Sequence, residues 1–189
     1  MQIRRGFIPL VLVALAIGAV PAQAQSCTQG GPGPRCGVCI PWFDLAYDGP
    51  FSQIYCGAWV FGGNSSRGTD GGPCGWDNYY GSFNGPTNWT SFYQSVVANQ
   101  GTTGNFFFVY DVDIDDSDPY TRLDVYIKEP NGNLLLIDTV SGARWCETRQ
   151  VSLPGHSNWV NQSVDIVFWG KVVTSGKKIK IDRVVFGQY

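Results

Sequence analysis

Between Phe106 and Phe186 the chain carries about five apolar runs of strand length, mostly alternating with polar positions and separated by turn-forming residues. No segment of helical period intervenes, and the pattern predicts an all-β sandwich. From Phe106 to Asp115 one parity reads Phe106, Phe108, Tyr110, Val112, Ile114. The other turns from apolar to carboxylate through Phe107, Val109, Asp111, Asp113 and Asp115. One face is therefore expected to be core and the other to meet water. Leu123, Val125 and Ile127 repeat the alternation, and Asn131-Gly132 makes a turn. Leu134 to Val140 is a more continuously apolar run, after which Ser141-Gly142 turns again. These elements read as a meander of short antiparallel strands. Val164, Ile166 and Phe168 form one face of a fourth run, and Ile179 and Ile181 open a fifth that ends in Val184-Val185-Phe186. The fifth run changes phase at Asp182-Arg183, so either Arg183 turns toward the core side or a β-bulge re-aims the chain there.

Upstream the alternation weakens as Gly, Asn, Ser and Pro become dense. Tyr55 to Phe61 predicts a strand before a Gly62-Gly63-Asn64 turn, and 64–77 reads as a long surface loop. Ser91 to Val97 predicts a further strand, with Gln100 to Gly104 as the turn into the Phe106 run.

The first 24 residues follow another logic. Arg4 and Arg5 precede an apolar run, Phe7 to Val20, which is short for a membrane span, and Ala22-Gln23-Ala24 offers the small residues of a cleavage site. A cleavable signal over 1–24 is expected, placing the mature chain outside the cell or in the periplasm. Cleavage leaves 165 of the 189 residues, enough for one domain with a sizeable core. It also leaves 11 basic against 15 acidic side chains, a charge of −4 with no basic field for nucleic acid. No later apolar stretch is long enough to span a bilayer. The six cysteines, Cys27, Cys36, Cys39, Cys56, Cys74 and Cys146, all follow the signal and form an even set, which predicts disulfides whose connectivity the sequence leaves open. Three of them crowd a Gly/Pro-rich arm, 25–41, ahead of a domain at 42–189. The Cys36-Gly37-Val38-Cys39 spacing lacks the βαβ context of a redox motif, and His156 is the one histidine available to a zinc site.

The order of signposts along 42–189 resembles the jelly-roll carbohydrate-binding modules, galactose-binding-like β-sandwiches. They run from Phe43-Asp44 and Trp59, through Phe92-Tyr93-Gln94-Ser95-Val96 and Gly104 to Ile114. Leu123 to Ile127, Trp145 to Pro154 and Ile181-Asp182-Arg183-Val184 complete the series. The closing strand is also similar to that of the MAM adhesion domains. The resemblance implies a single antiparallel sandwich of jelly-roll type, with a structural Ca2+ ion for which Asp44 and Asp182 are the matching ligands. It further implies core positions for Trp59 and Trp145.

Seven Trp and nine Tyr exceed what one core needs, and flat rings stack on sugar faces. Tyr126 shares a parity with Asp124, and Trp169 with Asp165, opposite to the apolar parity in each case; these are the first candidate ligand-binding residues. Trp89 and Trp159, in Asn-rich loops, are the second pair. Asp111, Asp113, Asp115, Asp116 and Asp118 form the strongest charge feature. An EF-hand fails, since Asp116 and Arg122 stand where Gly and Glu are required. Residues i and i+2 on one strand face lie roughly 6 to 7 Å apart, near the separation of a retaining glycosidase pair. That spacing permits an enzyme without specifying one, so the run reads first as a solvated strand end and loop, with Asp111 and Asp113 as polar contacts for a ligand. Glu is scarce, with Glu129 and Glu147 alone, and His156 lies in a loop without a nucleophile elbow. The expected function is a secreted, non-catalytic module that binds a polysaccharide or glycan or acts in surface adhesion. The alternatives are a small polysaccharide-active enzyme using the Asp111, Asp113, Asp115 face, or an extracellular structural protein that binds another protein.

Overall fold

The computed structural model describes residues 59–69, 79–98 and 104–188. The expectations for the signal, the arm, Asp44, the strand start at 55–58 and the cysteines other than Cys146 lie outside them. The described chain forms ten strands: β1 (Val60–Phe61), β2 (Ser65–Gly68), β3 (Tyr80–Asn84), β4 (Thr87–Val97), β5 (Phe106–Ile114), β6 (Arg122–Lys128), β7 (Leu134–Ser141), β8 (Arg144–Leu153), β9 (Ser163–Val172) and β10 (Lys178–Gln188). A single 3-10 turn, Ser157–Trp159, is the one helical element among the described residues. The strands make two five-stranded antiparallel sheets, in the orders β1-β4-β9-β6-β7 and β2-β3-β10-β5-β8, packed face to face as a β-sandwich.

The alternating parities account for the core. Phe92 and Val96 of β4, Val125 and Ile127 of β6, and Ile166 and Phe168 of β9 point inward from one sheet. Phe83, Phe106, Phe108, Ile181 and Phe186 meet them from the other. The aromatic rings interlock, with Phe92 stacked on Phe83 at 5.0 Å and packed against Phe168 at 5.1 Å. At Gly170 the sheets approach so closely that a Cβ would lie 2.5 Å from the Phe83 ring. Where the sheets end at β7 and β8, Asp138 draws the seam together. It accepts from Tyr110 Oη at 2.9 Å and from Arg149 Nε and Nη2 at 2.9 and 2.8 Å.

The strands do not form a meander. β6 and β7 are a hairpin, but β5 pairs with β8 and β10, and β9 with β4 and β6, so the chain repeatedly crosses between sheets. The segment read as a long loop contains β2, and β3 was not signalled by its sequence. Both are short and Gly/Ser-rich, and their pairing comes from tertiary contact rather than alternation. The phase change in β10 is a bulge between Asp182 and Val185, with Arg183 at φ 44°.

Candidate functional site

The outward face of the β1-β4-β9-β6-β7 sheet carries a band of rings. Register places Val60, Tyr93, Val167, Tyr126 and Leu136 in one row across all five strands. Val60, Tyr93 and Leu136 are exposed. A row of apolar side chains on the solvent side of a sheet, where alternation would put polar ones, marks a surface built to be covered. The next row brings Trp169 of β9 beside Asp124 of β6. Trp169 lies 5.8 Å from the Tyr126 ring, at 56° between planes, and 5.9 Å from Trp89, at 71°. Trp89 reaches this face through a bulge in β4, where Asn88 and Trp89 together oppose Lys171. Three of the four aromatic candidates in the sequence are thus brought together as a bent platform, joined by Tyr93.

Polar groups flank the platform on both sides. On one, Asp124 accepts from Arg122 Nε and Thr139 Oγ1, each at 2.7 Å. Burial, and then the Asp124 carboxylate, push the Tyr126 phenol up from its ordinary range. On the other, Asp165 accepts from Ser95 Oγ at 2.6 Å and pairs with Lys128 Nζ at 3.3 Å. Beyond Trp89 an open cleft of about 400 Å³ is lined by Thr87, Asn88, Tyr120, Lys171 and Val173. Tyr120 stands at its lip, 74% exposed. The loops holding Tyr120 and Val173 are tied by Asp116, a buried carboxylate that accepts from Asp118 N, Thr121 Oγ1, Thr174 N and Thr174 Oγ1. Burial alone would raise its pKa, but these hydrogen bonds outweigh it and hold the carboxyl down at about 2.

The other candidates are placed elsewhere. Trp159, expected in an exposed loop, is fully buried. The 3-10 turn directs it inward against Phe106 and His156, and its Nε1 donates to Glu129 Oε1 at 3.1 Å. Trp145, expected in the core, is 86% exposed on β8, beside a register shift and the positive φ of Cys146. Trp59 is in the core as expected. Asp111 and Asp113 lie on the opposite sheet, and they are buried rather than solvated. Asp111 Oδ1 accepts from Thr148 Oγ1 at 2.6 Å and Arg183 Nη2 at 3.0 Å, which makes it part of an internal ion pair. Burial raises the Asp113 pKa, an effect that Lys180 opposes and Asp115 supports. Asp182 is fully buried directly across from Asp111. No cluster of three or more His, Cys, Asp or Glu that could hold a metal occurs among the described residues. Cys146 is not a free thiol.

Neither a protein-family model nor a curated protein matches the sequence. Among solved structures, a family 61 carbohydrate-binding module in complex with β-1,4-galactotriose matches with a TM-score of 0.58 at 12% identity, covering 77% of this chain and 99% of that one. The protein has the fold of a carbohydrate-binding module. A family 16 carbohydrate-binding module matches with a TM-score of 0.56 at 14% identity, over 77% of this chain and all of that one. The CBM22-1 xylan-binding domain of Paenibacillus barcinonensis Xyn10C matches at 0.52 and 12% identity, over 79% of this chain and 97% of that one. At such identities the likeness is one of fold, and function has to be argued from the site.

Proposed function

We propose that the protein is a secreted, non-catalytic carbohydrate-binding module whose ligand lies across Trp89, Trp169, Tyr126 and Tyr93. The observation that carries this reading is the linked band of rings on an outward sheet face, with hydrogen-bonding side chains on either side of it. The C–H faces of a sugar ring stack on Trp169 and Tyr126. Its hydroxyls find Thr139, Ser95 and Asp165 within the two adjoining rows. The angle between neighbouring rings suits a twisted chain of several sugars better than a flat crystalline surface.

The enzyme alternative relied on Asp111, Asp113 and Asp115. Asp111 has no exposed surface through which to meet a substrate and is held by Arg183 and Thr148, which supports the non-catalytic reading. The same proposal includes the signal over 1–24, export to an oxidising compartment, disulfides among the six cysteines, and a single domain over 42–189. It also includes a structural calcium ion at Asp182 and Asp44. Support for the ion is the full burial of Asp182 directly across from a second buried carboxylate, Asp111, which is itself paired with Arg183. Chelator should then lower the melting temperature, and added calcium restore it.

The test is isothermal titration and pull-down of the oxidised protein against soluble and insoluble polysaccharides, followed by a reducing-sugar assay. Saturable binding that Trp169→Ala or Tyr126→Ala removes, without sugar release, supports the proposal. Absence of binding to any glycan would move the reading to protein adhesion.

A further inference from the structure

The charges on the ring-bearing face are not balanced. Arg122, Lys128 and Lys171 share it with Asp124 and Asp165, an excess of one positive charge on a chain whose formal net charge is −2. Arg122 is paired with Asp124 and Lys128 with Asp165. Lys171 makes no ion pair among the described residues. It lies directly across from Arg122 in the β6–β9 register, opposite the bulge that carries Asn88 and Trp89, and it lines the open cleft where the platform ends. The Arg122 guanidinium lies 6.0 Å over the Trp89 ring, and the Arg122 side chain is 44% exposed. Two cations therefore meet at the end of an aromatic platform: Lys171 lines a cleft large enough for a sugar residue, with Asn88 and the exposed Tyr120 on its walls, and Arg122 stands across from Lys171 on the neighbouring strand.

We infer that the glycan taken by this face carries carboxylate groups: the ligand is a polysaccharide containing uronic acid. This rests on the carbohydrate-binding reading above and specifies its ligand class. A uronate carboxylate projects from the edge of the sugar ring, so the ring face remains free to stack on Trp89 or Trp169 while the acid reaches Lys171 and the open side of Arg122. Neutral sugars would leave the Lys171 charge without a partner in the bound state. A charge-assisted hydrogen bond at such a half-exposed position corresponds to about tenfold in affinity.

The experiment is titration of the whole, oxidised protein with polygalacturonate and with its fully methyl-esterified, neutral counterpart. It is repeated with an acidic and an unsubstituted xylan, with a sulfated galactan, and with Lys171→Gln and Arg144→Gln variants. The expected result is about tenfold tighter binding of acid than of ester at low salt, a preference that shrinks as ionic strength rises. Lys171→Gln should reduce the preference to within about twofold, whereas Arg144→Gln, which alters a surface pair on the other sheet, should retain it. Equal affinity for acid and ester, a preference that survives Lys171→Gln, or stronger binding of the sulfated galactan would overturn the inference while leaving the carbohydrate-binding reading intact. Failure of every glycan to bind would overturn both.

Discussion

Replacing Asp116 by Asn tests whether the clasp beside the cleft is held by a charge. Each carboxylate oxygen of Asp116 accepts one backbone N–H and one hydroxyl: Oδ1 from Asp118 N at 3.1 Å and Thr174 Oγ1 at 2.9 Å, Oδ2 from Thr174 N at 3.0 Å and Thr121 Oγ1 at 2.6 Å. Thr121 Oγ1 also accepts from Val173 N at 3.0 Å, which fixes the direction of its own proton. Whichever way an Asn amide is turned, its NH2 faces a backbone N–H that has lost its acceptor, and a hydroxyl must rotate away. Loss of two hydrogen bonds to a buried charged group costs about 2 to 4 kcal/mol. Linkage gives a second route to the magnitude. The carboxyl is held near 2 against an ordinary 3.8, a difference equivalent to about 2 kcal/mol. Because the folded value is the lower one, this stability is fully present above about pH 4 and is lost as pH falls toward 2. Urea unfolding of both proteins, followed by tryptophan fluorescence, should show Asp116→Asn destabilised by about 2 kcal/mol at pH 6, with the gap falling by more than half at pH 2. A gap of less than about 0.5 kcal/mol at pH 6, or one unchanged at pH 2, would refute the reasoning.

Asp138→Ala should cost about 2 to 4 kcal/mol in the same assay, because it strands the buried Tyr110 hydroxyl and leaves the Arg149 guanidinium with Glu147 alone at the seam between the sheets. The two misplaced tryptophans should separate cleanly. Trp159→Ala is expected to destabilise by about 3 to 5 kcal/mol, whereas Trp145→Ala should stay within about 0.5 kcal/mol of the parent. Gly170→Ala forces a Cβ onto the Phe83 ring and should cost about 1 to 3 kcal/mol by thermal or urea unfolding, with a neutral result arguing that the sheets can part locally.

Much of the sandwich was legible because alternation reports directly on which face is buried. The parities of Phe106 to Ile114, Leu123 to Ile127 and Val164 to Phe168 became core as read, and the phase change at Asp182-Arg183 became a bulge. What alternation does not report is partner choice. A crossing between sheets and a hairpin leave the same local pattern, so alternation alone read as a meander, and the jelly-roll order came from the resemblance in the sequence of signposts. The platform was legible by halves for the same reason. Tyr126 and Trp169 stood on the outward parity of their own strands, but Tyr93, Arg122 and Lys171 join them only through the β4–β9–β6 register. Tyr93 could have been found, since it opposes the inward Phe92 and Gln94 in sequence. Trp145 and Trp159 exchanged places because a positive φ and a 3-10 turn, neither announced by composition, set their directions. The carboxylates of β5 were expected in water because they lie on the outward parity; burial on that face depends on what covers the sheet.

The central claim is where the glycan lies, and the most direct measurement is oxidative footprinting of tryptophan, read by mass spectrometry, with and without a polysaccharide that binds. Trp89, 42% exposed on the platform, and Trp145, 86% exposed on the other sheet, are reporters within one molecule, and buried Trp159 is an unreactive reference. Ligand should protect Trp89 and Trp169 and leave Trp145 oxidised at its unliganded rate. Protection of Trp145, or oxidation of Trp89 and Trp169 unchanged at saturating ligand, would contradict the assignment.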